Sequence, residues 1–239
     1  MAGYSIWFVV PVHGRLALTA VCLRQLRRTC DIHGDSTAVV VGDDPSLDLA
    51  ERLGFATVRR NNDQLGRKFN DGYQLACDPA YNPHPAEYVV PCGSDDWVDP
   101  AILNKMPGDR EVGLFRRHAI VNEQRTMLAR CYLRNLGGGG IRIIPRRMLE
   151  HAEYRPAPED QPAGVDTCTY RELDRATGGF AEVDLDVHDL QIVDWKTEGQ
   201  QLHRYRSMGV YVRSQEPDPC AVLQPVYPDA VAEMRTAAA

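Results

Sequence analysis

The amino-acid sequence predicts an α/β fold in which a mostly parallel central sheet is flanked by helices and followed by a smaller second half. Two observations lead to this prediction. Short apolar runs of strand length alternate with segments of helical periodicity through the first 100 residues. Several of these apolar runs end in turns rich in Gly, Pro, Ser and Asp. Alternating strands and helices form parallel sheets, because a helical crossover must join two parallel strands.

The same patterns locate the individual elements. The predicted strands are continuous apolar runs, as expected for strands that are buried on both faces. The predicted helices carry apolar residues three or four positions apart, as at Leu16, Ala20 and Leu23. In the first half, the predicted strands are 6–10, 37–41, 55–60 and 88–91, and the predicted helices are 16–29, 46–53 and 67–76. In the second half, the predicted strands are 112–115, 120–122, 141–144, 183–187 and 190–193, and the predicted helices are 146–150 and 165–176.

The chain of 239 residues is long enough for one large domain. We expect that domain to span residues 1–213, in two unequal halves, 1–109 and 110–213. Residues 214–239 are rich in proline at their start and end in three alanines. They are therefore predicted to form a poorly ordered C-terminal tail.

The composition indicates a globular protein of the cytoplasm. Apolar residues make up 44% of the chain, and no apolar run approaches the roughly 18 residues that a membrane helix needs. The apolar run 6–10 follows a start without basic residues, which predicts a first core strand rather than a signal peptide. The seven cysteines are odd in number and scattered, so they suggest reduced thiols rather than a disulfide framework or a zinc site.

The charge distribution is uneven. The net charge is −6, but residues 110–155 carry 10 basic and 4 acidic side chains. A basic middle segment in an acidic chain predicts a local anionic partner rather than general affinity for nucleic acid. The alternative is that these arginines lie on solvated helix faces.

Polar turns follow three of the predicted parallel strands. They are the segments 11–15 (Pro-Val-His-Gly-Arg), 42–44 (Gly-Asp-Asp) and 93–96 (Gly-Ser-Asp-Asp). Because the carboxyl ends of parallel strands share one edge of a sheet, these turns are expected to line one crevice. Adjacent carboxylates there could hold a hard divalent cation, which in turn neutralises the phosphates of a nucleotide. The alternative is that Ser, Asp and Gly are ordinary turn residues.

These motifs together resemble family 2 glycosyltransferases of the GT-A fold. The resemblance rests on the three turns, on Asn62, Gly66, Asn70 and Gly72 between them, and on the string 94–100 (Ser-Asp-Asp-Trp-Val-Asp-Pro). It covers residues 4–100 well and continues more loosely to about residue 205. It implies a nucleotide-sugar donor, with a UDP-sugar such as UDP-glucose favoured, Mn²⁺ or Mg²⁺ as cofactor, and inversion at the anomeric carbon. Residues 1–109 would then bind the donor, and residues 110–213 would supply the acceptor side and the catalytic base.

The resemblance also implies roles for single residues in the donor half. Asp43 would approach the base, and Asp95 and Asp96 would serve the ribose, the diphosphate and the metal. The family commonly has an aspartate at the position of Gly93, so metal binding would depend mainly on Asp96. The full set of residues predicted to bind the nucleotide-sugar is Pro11, His13, Arg15, Asp43, Asp44, Arg67, Asn70, Ser94, Asp95 and Lys196.

Inversion requires a base that takes the proton of the acceptor hydroxyl. The family position for it, at the start of a helix after a Gly-containing loop, corresponds to Asp166. As an alternative, Asp166 is the N-cap of that helix, because Asp is a preferred capping residue. Glu159 and Asp160 are the reserve candidates. His188 is a candidate metal ligand and His203 competes with it, although a lone histidine is more often structural.

A looser resemblance to a bacteriophage-type subgroup comes from the segments 138–147, 164–166 and 193–197. It makes Lys196 a partner for the diphosphate. The residues predicted to bind acceptor or phosphate are Trp97, Arg142, Arg146 and Arg147. Trp97 has core packing as its alternative, and Lys196 has an exposed surface position.

The acceptor stays open among DNA carrying a hydroxymethylated pyrimidine, polysaccharide and protein, with no membrane partner expected. A base in duplex DNA would have to be flipped out to react. Two other functions compete with the glycosyltransferase hypothesis. A nucleotidyltransferase would also bind a nucleotide and a metal on such a sheet, but its usual Gly-rich basic loop is not found after the first strand. A non-catalytic binding or scaffold protein is the other alternative, because a fold does not guarantee a function.

Overall fold

The computed structural model describes residues 4–43, 45–105, 111–122, 124–133, 141–160, 165, 168–169, 172–173, 180–182, 191–196 and 210–237. Its strands are β1 (Ile6–Pro11), β2 (Ser36–Gly42), β3 (Ala56–Arg59), β4 (Tyr88–Pro91), β5 (Asp96–Val98), β6 (Val112–Leu114), β7 (Arg117–Val121), β8 (Met127–Leu133), β9 (Arg142–Pro145), β10 (Phe180–Glu182), β11 (Ile192–Trp195) and β12 (Val210–Pro217). Its helices are α1 (Leu16–His33), α2 (Ser46–Arg52), α3 (Leu65–Cys77), α4 (Arg146–His151), α5 (Pro219–Leu223) and α6 (Pro228–Ala237), with a 3₁₀ helix at Pro100–Asn104. None of the described helices combines the length and the apolar character needed to cross a bilayer.

The larger sheet has seven strands in the order β10-β6-β9-β4-β1-β2-β3. Strands β4, β1, β2 and β3 run parallel to one another, whereas β9 pairs antiparallel with both β4 and β6. Strand β10 returns parallel to β6. This mostly parallel sheet, with helices on both faces, confirms the predicted fold class.

A second sheet of five strands has the order β12-β8-β7-β11-β5. Its pairings are antiparallel except for that of β11 with β7. Four residues separate the end of β4 from the start of β5, so the turn 92–95 joins the two sheets.

Three large apolar clusters hold these layers together. One packs α1 and α2 on one face of the larger sheet, and a second packs α3 and α4 on its other face. The third fills the space between α1, the second sheet and the two C-terminal helices. Helix α1 belongs to two of these clusters, because Leu23 and Leu26 face the larger sheet whereas Leu18 and Val21 face the smaller one.

The prediction of a poorly ordered tail over residues 214–239 is wrong for the described part of that segment. Strand β12 pairs along β8 from Val210 to Pro217. Helices α5 and α6 then bury Leu223, Val231 and Met234 to at most 2% exposure. Prolines mark the starts of both helices instead of breaking the structure, as Pro is tolerated in a first helical turn.

Other sequence predictions differ in detail. Strands β5, β8 and β10 were not predicted. Strands β5 and β10 have only three residues each, whereas β8 is a seven-residue, mostly apolar strand that the sequence analysis missed. Helix α1 extends to His33 rather than ending at residue 29. The predicted strand 183–187 and most of the predicted helix 165–176 lie outside the described residues.

Candidate active site

Three carboxylates meet where the two sheets join. Asp95 and Asp96 follow β4, and Asp194 lies in β11. One carboxylate oxygen from each of the three lies within 4.8 Å of the others. The antiparallel pairing of β11 with β5 places Asp194 directly opposite Asp96, and the backbone N–H of Trp195 donates to the carbonyl of Asp95 at 3.0 Å. Backbone pairing therefore fixes this carboxylate cluster (Asp95, Asp96 and Asp194).

Trp97 and Trp195, which follow Asp96 and Asp194 in the sequence, pack against each other beneath the cluster. Side chains alternate along a strand, so Trp97 and Trp195 point away from the carboxylates. Their ring centroids are 4.7 Å apart, and Tyr227 of the C-terminal segment lies 5.4 Å from Trp97. Trp97 has no exposed surface. The structure thus makes it a core residue and leaves no surface for the acceptor contact predicted from the sequence.

The carboxylate groups of Asp95 and Asp96 lie directly over Gly93. A Cβ atom at this position would lie 2.7 Å from Oδ1 of Asp95 and 2.8 Å from Oδ2 of Asp96. The N–H of Gly93 donates to Oδ2 of Asp96 at 2.7 Å. A side chain at this position would therefore require the carboxylate groups of Asp95 and Asp96 to shift from the positions that they occupy in the cluster.

Two cations of the chain neutralise part of the cluster. Arg15 donates from Nη1 to Oδ2 of Asp95 at 2.6 Å and from Nη2 to Oγ of Ser94 at 2.9 Å. Lys196 forms an ion pair with Oδ2 of Asp194. Both cations were predicted to bind the donor, and in the structure both contact carboxylates of the cluster.

The electrostatics of the cluster favour a further cation. Burial raises the pKa of Asp96 well above its usual range, and the charges of Asp194 and Asp95 raise it further. Burial and the charge of Asp194 raise the pKa of Asp95 as well, against the opposing effect of Arg15. Within the described part of the chain, Oδ1 of Asp194 is buried without a hydrogen-bond partner. Such an oxygen is costly to bury unless it binds a proton or a metal ion.

A pocket of about 250 Å³ lies beside the cluster. It is lined by the loop after β1, the start of α3 and the turn after β4. Two of the three predicted turns, 11–15 and 93–96, therefore share one crevice, whereas the turn 42–44 does not line it. Its lining residues are Pro11, Val12, His13, Arg15, Asn62, Asp63, Gln64, Leu65, Lys68 and Ser94. Of the predicted donor-binding residues, Pro11, His13, Arg15 and Ser94 lie here.

Sequence reasoning missed Lys68 and Asp194. Lys68 is only 2% exposed, and its Nζ donates to the carbonyl of Val12 at 2.7 Å and to Oδ1 of Asn62 at 2.6 Å. A lysine on the apolar face of a predicted helix was the available signal for Lys68. For Asp194, the signal was a polar residue between Val193 and Trp195 in a strand.

Asp43 and Arg67 support the pocket from outside. Asp43 accepts a hydrogen bond from the N–H of Asn62 at 3.2 Å. Arg67 donates to Asp63 at 3.0 Å. Neither residue lines the pocket, but each is bonded to a residue that does, Asp43 to Asn62 and Arg67 to Asp63. Asp44, the other residue predicted at this edge, lies outside the described residues.

Asn70, which was predicted to bind the donor, is bonded in the structure to the loop 155–160. It has no exposed surface. Its amide donates to the carbonyl of Ala157 at 2.9 Å and to Glu159 at 3.0 Å, and its oxygen accepts from the N–H of Ala157 at 3.0 Å. A Cβ at Gly66, one helical turn earlier, would lie 1.8 Å from the carbonyl oxygen of Pro158. Helix α3 therefore packs directly against the loop 155–160.

Glu159, a reserve candidate for the base, is engaged in this contact. Burial opposes its ionisation, but hydrogen bonds from Asn70 and Arg155 and the charge of Arg67 outweigh that effect and lower its pKa. A carboxylate held in its ionised form by these partners is a weak proton acceptor. Asp166, His188 and His203 lie outside the described residues.

The predicted phosphate-binding arginines do not gather at the cluster. Pro145, just before Arg146, pairs with Tyr88 at the start of β4. Arg146 and Arg147 are therefore at the opposite edge of the sheet from Asp95, and the structure does not bring them to the cluster. Arg142 lies nearer the site but is only 4% exposed.

The basic segment 110–155 does not form a uniform positive surface in its described part. Arg130, Arg146 and Arg155 form ion pairs with Glu216, Glu150 and Glu159. These ion pairs weaken the prediction that the segment binds an anionic partner.

The sequence matches no protein-family model, and no curated protein matches it either. Solved structures share its fold at low identity. TarS from S. aureus has a TM-score of 0.60 at 15% identity, over 80% of this chain and 37% of TarS. The mannosyltransferase PcManGT from Pyrobaculum calidifontis, in complex with GDP-Man and Mn²⁺, has a TM-score of 0.54 at 12% identity, over 99% of this chain and 74% of that one. Glucosyl-3-phosphoglycerate synthase from Mycobacterium tuberculosis, in complex with Mg²⁺ and UDP, has a TM-score of 0.51 at 11% identity, over 94% and 80%.

These similarities define the fold of the chain as that of the GT-A-like glycosyltransferases. The chain spans little more than a third of the length of TarS.

Proposed function

We propose that the protein is a metal-dependent glycosyltransferase that moves a sugar from a nucleotide-sugar donor to an acceptor hydroxyl. The observation that carries this proposal is the carboxylate cluster beside a pocket at the carboxyl edge of a parallel sheet. Ligands bind at this edge in open α/β sheets. The similarity of fold to proteins solved with GDP-Man and Mn²⁺, or with UDP and Mg²⁺, supports it.

The cluster fits Mn²⁺ or Mg²⁺. Hard divalent cations prefer carboxylate oxygens, and the cluster offers three carboxylates, one of which has the unpartnered oxygen Oδ1 of Asp194. Asp95, Asp96 and Asp194 would hold the ion, with Asp194 in the place that the sequence assigned to His188. When bound, the ion offsets charge on the departing nucleoside diphosphate.

The pocket is the proposed site of the donor nucleoside. Its volume of about 250 Å³ and its lining by the polar groups of His13, Asn62 and Lys68 suit a base with its ribose. Arg15 lies between this pocket and the cluster, where a diphosphate would join the nucleoside to the metal. A UDP-sugar is the donor that we favour, on the resemblance of the motifs.

Sugar transfer with inversion needs one proton acceptor on the acceptor side. The acceptor oxygen forms a bond to the anomeric carbon as the bond from that carbon to the diphosphate breaks, and a carboxylate takes the hydroxyl proton. Asp166 is the residue that we propose for this role. Glu159 is a weaker candidate, because its partners stabilise its ionised form.

The proposed acceptor carries a free hydroxyl group. DNA with a hydroxymethylated pyrimidine is the acceptor favoured by the basic segment 110–155, and polysaccharide and protein are the others. The ion pairs of Arg130, Arg146 and Arg155 reduce the charge available to DNA phosphates. Acceptor screening should therefore include all three classes.

A binding and hydrolysis screen tests this function. UDP-, GDP- and dTDP-sugars are titrated into the protein with and without Mn²⁺, and release of nucleoside diphosphate is followed. Asp96→Asn is compared with Asp31→Asn, which removes a carboxylate 65% exposed on α1. Metal-dependent binding that is lost only in Asp96→Asn supports the proposal. Failure of every nucleotide-sugar to bind contradicts it, and binding without hydrolysis or transfer favours a non-catalytic protein.

A further inference from the structure

Two of the three carboxylates in the cluster are already bound to a cation of the same chain. Oδ2 of Asp95 accepts from Arg15 at 2.6 Å, and Oδ2 of Asp194 pairs with Lys196. The third, Asp96, accepts a backbone N–H instead. The side chains of Arg15 and Lys196 are 32% and 10% exposed, so both are partly shielded from water and from screening by salt.

We propose that Arg15 and Lys196 are exchangeable counter-cations that hold the cluster in the absence of donor and move to the donor diphosphate when the metal binds. This inference rests on the proposed function. A divalent ion that is bound by these carboxylates would lie close to both cations, and like charges at such distances repel strongly in a partly buried site. The metal and the two cations therefore compete for the same carboxylate groups.

The position of Arg15 suits such an exchange. It lines the pocket as well as contacting the cluster. Its guanidinium group is therefore within reach of both the carboxylate of Asp95 and a diphosphate bound beside the pocket. Its backbone is in the left-handed region (φ 49°, ψ 37°) at the start of α1. Non-glycine residues in this region are uncommon and cluster at functional sites. Guanidinium groups bind phosphate as well as carboxylate, often through two hydrogen bonds.

Coupling between metal and nucleotide follows from this competition. When the metal binds without a nucleotide, it must displace Arg15 and Lys196 from their carboxylates, and no diphosphate is present to accept them. When a diphosphate is present, its oxygens accept the displaced cations, so each ligand strengthens the other by the same factor. Metal binding is therefore expected to be weak without nucleotide.

Binding of Mn²⁺ to the protein, followed by the electron paramagnetic resonance signal of free Mn²⁺, tests the exchange without measuring activity. Arg15→Gln and Lys196→Gln are titrated with and without UDP. The matched control is Arg24→Gln, which removes an arginine of the same helix that pairs with Glu233 at 3.0 Å. Asp96→Asn reports on the metal site itself.

Each counter-cation variant is expected to bind Mn²⁺ about tenfold more tightly than the wild type without UDP, since each loses a charge-assisted competitor. The strengthening of Mn²⁺ binding by UDP should shrink in both variants and stay unchanged in Arg24→Gln. Unchanged or weaker Mn²⁺ binding in both variants, with binding lost in Asp96→Asn, overturns the exchange and leaves the metal site standing. Mn²⁺ binding that is equal in wild type and Asp96→Asn, or absent from every variant, overturns the proposed metal site together with the exchange. Circular dichroism checks that each variant is folded, and where one counter-cation variant does not fold, the result for the other decides.

Discussion

Replacement of Asn70 by alanine tests whether this residue holds the loop 155–160 or binds the donor. The substitution removes three hydrogen bonds and leaves the buried N–H and carbonyl of Ala157 without their side-chain partner. Each buried polar group that loses its partner costs about 1–3 kcal/mol. The expected loss in free energy of unfolding is therefore about 2–5 kcal/mol, or ~5–15 °C in melting temperature for a chain of this size.

Urea unfolding followed by circular dichroism measures this loss. Asn61→Ala is the control, because Asn61 is exposed in the loop before α3 and should change stability by less than about 0.5 kcal/mol. Affinity for UDP is measured at a temperature at which both variants are folded. The structural assignment predicts a less stable Asn70→Ala protein with UDP affinity close to that of the wild type. A variant with wild-type stability that has lost UDP binding would refute it and restore the role predicted from the sequence.

Three further predictions concern the cluster and the C-terminal segment. Gly93→Ala should weaken Mn²⁺ binding at least tenfold in calorimetry, because the new Cβ would lie 2.7–2.8 Å from carboxylate oxygens of Asp95 and Asp96; wild-type affinity would show that the turn adjusts freely. The raised pKa of Asp96 means that the folded protein holds this proton more tightly than the unfolded chain, whose pKa is near 3.8. Stability of the metal-free protein should then fall as pH rises from about 4 through the raised pKa. Asp96→Asn should flatten this slope in thermal melts, and an identical slope in both proteins would contradict the assignment. Met234→Ala should lower the free energy of unfolding by about 2–5 kcal/mol, since Met234 is 2% exposed in the core beneath β11. Arg235→Ala, on the exposed face of α6, serves as its control, and equal stability of the two variants would show that α6 is not part of the core.

The N-terminal half could be predicted closely because its signals are local. Strands β1, β2 and β4 are apolar runs buried on both faces, and each is followed by a polar turn. Parallel pairing then brings those turns to one edge whatever the details of packing. Pro11, His13, Arg15 and Ser94 were placed in the crevice by this reasoning alone.

The second half was predicted less well because its elements depend on distant partners. Strand β5 has only three residues and exists through its pairing with β11, almost 100 residues later. The C-terminal prolines suggested disorder, whereas Tyr227 and Val231 are buried against α1 and the second sheet. A sequence pattern reports local preference, and burial against a distant surface can override it.

The sequence by itself determined the fold class, the edge of the sheet that carries the site, and two of the three carboxylates. Only the tertiary structure decided that Asp194 completes the cluster, that Arg15 and Lys196 hold it, and that Asn70 and Trp97 belong to the framework. The physical reason is that periodicity fixes which face a residue lies on, whereas the partner on that face is fixed by strand register and packing between residues far apart in the chain.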